Sequence, residues 1–189
     1  MQKENNNQKV KAVNRYNYFF ISITLLLAIL FSEIKIGDEA PTFYVRTLDG
    51  KDFFLSDSLK RNQRPIVFSF FATWCIPCRQ EIPVLDSIRT NYPEVDFYLI
   101  DVSGLSKDGE MKIEDPTNVR KMIKSLGTKI PVLMDKFGTV AAKYDAVILP
   151  RIITIAPNDS LFRVVYAHTG YKNGDEKKLI KTIESLLAK

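Results

Sequence analysis

Two cysteines, Cys75 and Cys78, are the whole thiol complement of this 189-residue chain, and two residues separate them. A loop that short gains little chain-entropy stabilisation from a bridge, so a purely structural disulfide is a poor reading. Structural zinc needs about four ligands, and the chain offers this one pair and a single distant histidine, His168, which reads as structural or exposed. No metal and no cofactor is expected. What Cys-x-x-Cys does well is thiol–disulfide exchange. A sulfur at a helix N-terminus has its thiolate stabilised by unpaired backbone N–H groups and the helix dipole. A second sulfur three positions on lies on the same helical face and can attack a mixed disulfide formed there. Cys75 is the expected attacking, exposed sulfur and Cys78 the shielded, resolving one.

The flanking sequence supplies that setting. Pro65-Ile66-Val67-Phe68-Ser69-Phe70-Phe71 is a nearly continuous apolar run of strand length, as in a central strand covered on both faces. It leads directly into Trp74-Cys75-Ile76-Pro77-Cys78, and a helical pattern with Ile82, Leu85 and Ile88 facing inward continues to about residue 91, with Pro83 expected to bend it. Ile76-Pro77 brings no positive charge between the sulfurs, which favours a reductant or mild exchanger over a strong oxidant.

Around this centre, residues 43–55 read as two short strands about the hairpin turn Asp49-Gly50. A strand is expected at 95–102, and 103–115 is a polar loop. Asp115-Pro116 has the form of an N-cap followed by proline, opening a helix that stops near Gly127. Short β, α and β segments follow at 131–134, 138–144 and 152–156. The strands at 152–156 and 161–168 form an antiparallel pair across Pro157-Asn158-Asp159-Ser160, and a helix over 175–188 closes the chain. Strands alternating with helices, followed by a hairpin, give an α/β sandwich with a mixed sheet and no repeats.

The N-terminal end is different. Residues 1–15 form a polar basic tail, and the uncharged run from Tyr16 to Phe31 places a signal anchor or signal peptide at 16–32, with a linker over 33–41 and one domain over 42–189. The absence of a small-x-small cleavage pattern and the aromatics Tyr16, Tyr18, Phe19 and Phe20 favour the anchor. The first 31 residues hold Lys3, Lys9, Lys11 and Arg15 against Glu4, a local +3 of the chain's formal +5. The basic balance therefore belongs to the tail, not to a nucleic-acid-binding face. By the positive-inside rule the tail stays in the cytoplasm, leaving a single-pass membrane protein whose domain lies on the extracytoplasmic, periplasmic or outer, face.

Several further pieces join the cysteine motif: Gly37-Asp38-Glu39-Ala40-Pro41-Thr42-Phe43, then Leu48-Asp49-Gly50-Lys51, then the stretch from Phe70 through Cys78 to Arg79-Gln80-Glu81-Ile82-Pro83, and finally Leu149-Pro150 before a strand. From about Gly37 onward the chain resembles the thioredoxin-like superfamily, and within it the TlpA/ResA-like, membrane-anchored thiol–disulfide oxidoreductases. The resemblance implies a three-layer α/β/α sandwich with a central mixed sheet, an N-terminal β-hairpin and a signal-anchor helix. It also implies that Pro150 is a cis-proline opposite the cysteines, in keeping with the near-restriction of cis bonds to proline, and that Glu81 is a carboxylate near them. Glu81 either handles protons and tunes the thiols or is a solvated first-turn glutamate that suits the helix dipole. Trp74, Pro77, Leu149, Pro150 and Arg151 line the approach of a client disulfide, with a simple core role as the alternative for Trp74.

Two departures from the family pattern matter. Ser69 stands where thioredoxins proper carry a buried aspartate, which raises the interest of Glu81. Arg151 replaces the threonine that usually follows the cis-proline, and a guanidinium near Cys75 would make the protein more oxidising; a solvated or carboxylate-paired Arg151 is the plain alternative. The partners implied are client proteins with disulfides, by family analogy apocytochromes awaiting haem, and a membrane-spanning dithiol electron donor. A disulfide oxidant or isomerase is the alternative use of the same two cysteines, and two further functions compete with the reductant. A peroxidase on this fold expects threonine three residues before the reactive cysteine, where Ala72 stands. A non-catalytic peptide-binding module would tolerate loss of a cysteine, and both are present.

Overall fold

The computed structural model describes residues 33–105, 115–158 and 161–188. The tail and the signal segment expected at 1–32 lie outside the described residues. Among the described residues, no helix is long and apolar enough to cross a membrane.

The elements run β1 Tyr44–Thr47, β2 Asp52–Phe54, α1 Leu55–Asn62, β3 Ile66–Phe71, α2 Ile76–Asn91, β4 Asp96–Asp101, α3 Pro116–Leu126, β5 Val132–Met134, α4 Thr139–Lys143, β6 Arg151–Asn158, β7 Leu161–Thr169 and α5 Glu176–Leu187. The strands form one mixed sheet in the order β2-β1-β5-β4-β3-β6-β7. β3 pairs in parallel with β4, and β4 with β5, as crossover helices require. The hairpins β1–β2 and β6–β7 are antiparallel, as is the junction of β3 with β6.

All six residues of β3 are buried, so it is the central strand that its unbroken apolar run predicts. Alternation along it divides the core in two. Phe68 and Phe70 face a cluster with Leu55 of α1 and Val140, Ala141 and Tyr144 on and after α4. Val67 and Phe71 face a cluster with Ile82, Leu85 and Ile88 of α2, Val119 and Met122 of α3, and Leu179 and Ile183 of α5. Helices on both faces make the three layers.

Local chemistry sets the element ends. The β1–β2 turn closes through Gly50 at φ +81°, with Gly50 N–H donating to Thr47 O at 2.9 Å. Asp115 caps α3 by accepting from Thr117 N–H at 2.8 Å, and Gly127 ends it in the left-handed region. Helix α1 is a departure from the sequence expectation, which carries β structure to residue 55 and sees nothing before β3. Its N-cap is Phe54, without a side-chain cap bond, so the usual start signal is missing. α2 continues through Pro83 to Asn91 as one helix. The stretch read as a linker is tied down along β7: Gly37 N–H donates to Val164 O, Val164 N–H to Asp38 O and Ala40 N–H to Phe162 O, at 2.8 to 2.9 Å, while Ile34 joins the aromatic-rich cluster.

Candidate active site

Cys75 sits one residue past the Ala72-Thr73-Trp74 turn and is the N-cap of α2, with extended backbone at φ −83° and ψ 106°. Pro77 lies in the first turn, where its missing N–H costs nothing. The loop ahead of the cysteines is held by the end of β4: Ser103 Oγ donates to Asp101 and accepts from Thr73 N–H at 2.8 Å. Arg79 Nη2 donates to Thr73 O at 2.7 Å from the α2 side.

The two cysteines form a disulfide. Cys75 Sγ also accepts the backbone N–H of Cys78 at 3.2 Å. That N–H is one of the first-turn donors that no helical carbonyl satisfies, and in the reduced protein the same donor and the helix dipole favour a thiolate on Cys75. Cys78 is 0% exposed. Cys75, expected to be exposed, is 4% exposed in this oxidised form. Trp74 and Leu149 pack against the cluster that contains both sulfurs. Ile76, between the cysteines, is 69% exposed and marks the open side of the motif, and Val147 and Ile148 are exposed just before the cis Leu149-Pro150 bond.

Glu81 is the most unusual charge-bearing group here. It is 1% exposed, on the face of α2 that carries Cys78. Ser69 Oγ donates to its Oε2 at 2.6 Å, while Oε1 has no hydrogen-bond partner among the described residues. Burial pushes its pKa up to about 8, against a smaller lowering by the Ser69 hydrogen bond, with the Asp175 charge adding to the rise. The solvated-glutamate alternative does not describe this residue. Ser69, seen in the sequence as the loss of an acid, is the anchor of another acid arriving from α2.

Arg151 takes a different course from the one expected. It pairs with Phe70 on β3 and Thr169 on β7, and Phe70 belongs to the aromatic-rich face. Strand alternation therefore sends its side chain to the face opposite α2. There Nη1 donates to Thr169 Oγ1 at 2.8 Å in a buried setting. The guanidinium is neither solvated nor directed to the cysteine side of the sheet.

Sequence reasoning passed over the residues on the far side of Glu81. His168 Nε2 lies 3.2 Å from Asp175 Oδ2, both half-buried. Tyr166 and Tyr171 join them, with Val84, Leu85 and Leu179, in lining a small cavity that reaches Glu81. These residues come from β7 and the approach to α5, so no spacing in the sequence could have gathered them. The one legible signal was Tyr166 and His168 at alternate positions of an expected strand.

Comparison with known proteins agrees with this geometry. The model of the AhpC/TSA family matches residues 36–163. The thiol-disulfide oxidoreductase ResA of Bacillus thuringiensis subsp. konkukian is 30% identical over 118 residues, 62% of this chain and 62% of its own, so the match spans less than two thirds of that relative. ResA of Bacillus subtilis is 30% identical over 132 residues, 70% of this chain and 68% of its own. Among solved structures, a thiol:disulfide interchange protein of the thioredoxin family from Chlorobium tepidum is similar at TM-score 0.60 and 25% identity, over 82% of this chain and 99% of its own. A second Chlorobium tepidum structure reaches TM-score 0.69 at 22% identity, over 82% of this chain and 99% of its own, a likeness of fold alone. With a thioredoxin-like sheet, paired cysteines opening its second helix and a family model matched over most of its length, the chain belongs to the AhpC/TSA family.

Proposed function

We propose that this protein is an extracytoplasmic thiol–disulfide oxidoreductase that reduces disulfides in client proteins through Cys75 and Cys78. The observation that carries the reading is the Cys75–Cys78 disulfide at the N-terminus of α2, with the Cys78 N–H on the Cys75 sulfur. ResA relatives named thiol-disulfide oxidoreductases support it. In the reduced protein, the Cys75 thiolate attacks a client sulfur, forming a Cys75–client mixed disulfide and releasing the first client thiolate. Cys78 then gives up its proton, attacks Cys75 Sγ and expels the second client thiolate. Two electrons leave the dithiol and the disulfide re-forms. Glu81, on the Cys78 face of α2, is the base for that proton, and the burial that raises its pKa to about 8 suits it to take the proton up.

Trp74, Pro77, Leu149 and Pro150 form the client-facing rim, while the buried Arg151, expected among them, places the start of β6 from the opposite face of the sheet and lends no charge to Cys75. The location rests on the uncharged run after a basic tail, and a reductant so tethered must draw electrons through a membrane-spanning dithiol carrier. Apocytochromes awaiting haem fit as clients by family analogy.

The deciding experiment is the midpoint potential of the full-length protein equilibrated against glutathione or dithiothreitol. A value near about −270 mV supports the reductant, and one near about −120 mV overturns it in favour of an oxidant. Cys75→Ser should abolish exchange in the same assay; a retained peptide-binding activity with no exchange in the parent protein would replace the enzyme with a binding module.

A further inference from the structure

Glu81 has a problem of access. Its carboxyl is buried under α2, its Oε2 is taken by Ser69 and its Oε1 has no partner among the described residues, yet an acid that exchanges protons with Cys78 must also equilibrate with solvent. The sheet register supplies a direction. Ser69 on β3 pairs with Ile152 on β6, and Ile152 pairs with His168 on β7. The three side chains stand in one row on one face, so His168 lies two strand spacings, about 10 Å, from the Ser69 anchor of Glu81. A cavity of about 10 Å³ lies over that row; its walls are mainly apolar, with Val84, Leu85, Ile152 and Leu179 among them, and Glu81 and His168 are among the polar residues that line it. It matches the space one water needs, roughly 10 to 15 Å³ on the same measure, and such a water requires polar partners on more than one side.

We propose that this cavity holds a single water bridging Glu81 Oε1 to His168, and that His168 with Asp175 is the proton exit through which buried Glu81 equilibrates with solvent. The inference rests on the thiol–disulfide reading above and extends it to residues outside the cysteine helix. The Cys78 proton passes to the Glu81 carboxylate as the Cys78 sulfur attacks Cys75, then through the water to the imidazole and on to bulk solvent, with no further redox partner. Asp175 sets up the imidazole. Held ionised by the Lys172 backbone N–H, and further favoured in that form by His168, it accepts Nε2–H and leaves the Nδ1 lone pair to take a proton. The other groups facing Glu81 do not compete. From β3 there is only the Ser69 hydroxyl; from β6, Ile152 and, one pair further on, Thr154. Tyr166 on β7 is pushed up to about 12 by burial first, and Tyr171 is also raised by burial, so both remain neutral phenols. Glu176 is engaged by Gly174 N–H at 2.9 Å.

The test uses the full-length protein, with His168→Ala and, should that variant fold poorly, His168→Gln. Stopped-flow oxidation of the reduced protein by a model disulfide should slow by about tenfold, less than the roughly 100-fold of a residue that acts directly as acid or base. Added imidazole should restore the rate in His168→Ala, and Glu81→Gln should make the reaction insensitive to it. A crystal structure should show the water within hydrogen-bonding distance of Oε1. A wild-type rate in the His168 variant, or a slowed rate that imidazole does not rescue, overturns the proposal. If the parent protein shows no exchange at all, the enzyme reading fails, and the relay is then judged by carbon-13 relaxation of the Glu81 carboxyl: slower proton exchange in His168→Ala keeps it, and an unchanged exchange rate removes it.

Discussion

The two faces of the central sheet are built from different materials. On the α1 and α4 side, aromatic rings fill the space: Phe43 meets Phe68 edge-on at 5.6 Å, Phe53 meets Tyr98 at 4.9 Å, and Tyr144 sits within about 6 Å of Phe43, Phe68 and Phe70 while donating to Pro41 O at 2.7 Å. On the α2, α3 and α5 side the core is mainly aliphatic and admits polar atoms: two sulfurs, the Ser69 hydroxyl, the Glu81 carboxyl and the Thr154 hydroxyl, with a cavity at its rim. The lesson is one of division of labour along a single strand. β3 sends Phe68 and Phe70 to one side for packing alone, and to the other it sends Ser69 for chemistry between the packing residues Val67 and Phe71.

That contrast can be broken on the aromatic side first. Phe68→Ala removes a fully buried ring that touches three others and should cost about 3 to 5 kcal/mol in denaturant unfolding, while the folded fraction exchanges disulfides at the parent rate. A comparable loss of exchange per folded molecule would mean that the two faces are not separable.

The polar face should announce itself through pH. Glu81 is raised from an ordinary carboxylate value to about 8 in the folded protein, so the folded state binds more protons than the unfolded one between these two values. Its contribution is complete below the unfolded pKa and is lost as pH rises through the folded one. Unfolding free energy of the oxidised protein should thus fall by on the order of 3 kcal/mol from pH 5 to pH 8, and Glu81→Gln should flatten the curve. An equally steep curve in the variant would put the titrating group elsewhere.

The smallest effect sharpens the boundary between the faces. Arg151 lies across the sheet from α2, so Arg151→Thr should move the midpoint potential by less than about 10 mV, or under about 0.5 kcal/mol. A shift of several tens of millivolts would show that its charge reaches Cys75 through the sheet.

How much of this could be read from residues alone follows from which interactions are local. The central strand, the cysteine-capped helix, the Asp115 cap and the Gly127 stop are written in runs of a few residues, and the structure has them where those runs are. α1 lacks a capping side chain and shows only Leu55 and Leu59 at helical spacing after two phenylalanines, a signal too short to separate from the end of a strand. Ser69 and Glu81 were each singled out, but twelve residues apart, and their bond depends on how α2 lies over β3. The side of the sheet taken by Arg151 follows from alternation once the strand start is known; before that, one residue of uncertainty reverses it. The pairing of His168 with Asp175 needs the path of the link between β7 and α5, where Gly170 and Gly174 mark turns without saying which residues those turns bring together.

The segment from Ile34 to Ala40 has a bearing on where the folded unit can be cut. By bonding to Phe162 and Val164 it covers the first half of β7, which is otherwise an outer margin of the sheet. A shortened form that begins after Ala40 would strip that cover, leaving a row of unpaired N–H and C=O groups open to the same row on another molecule. Seven residues that resemble a spacer thus act as a guard against self-association, and any soluble version of the domain should keep them.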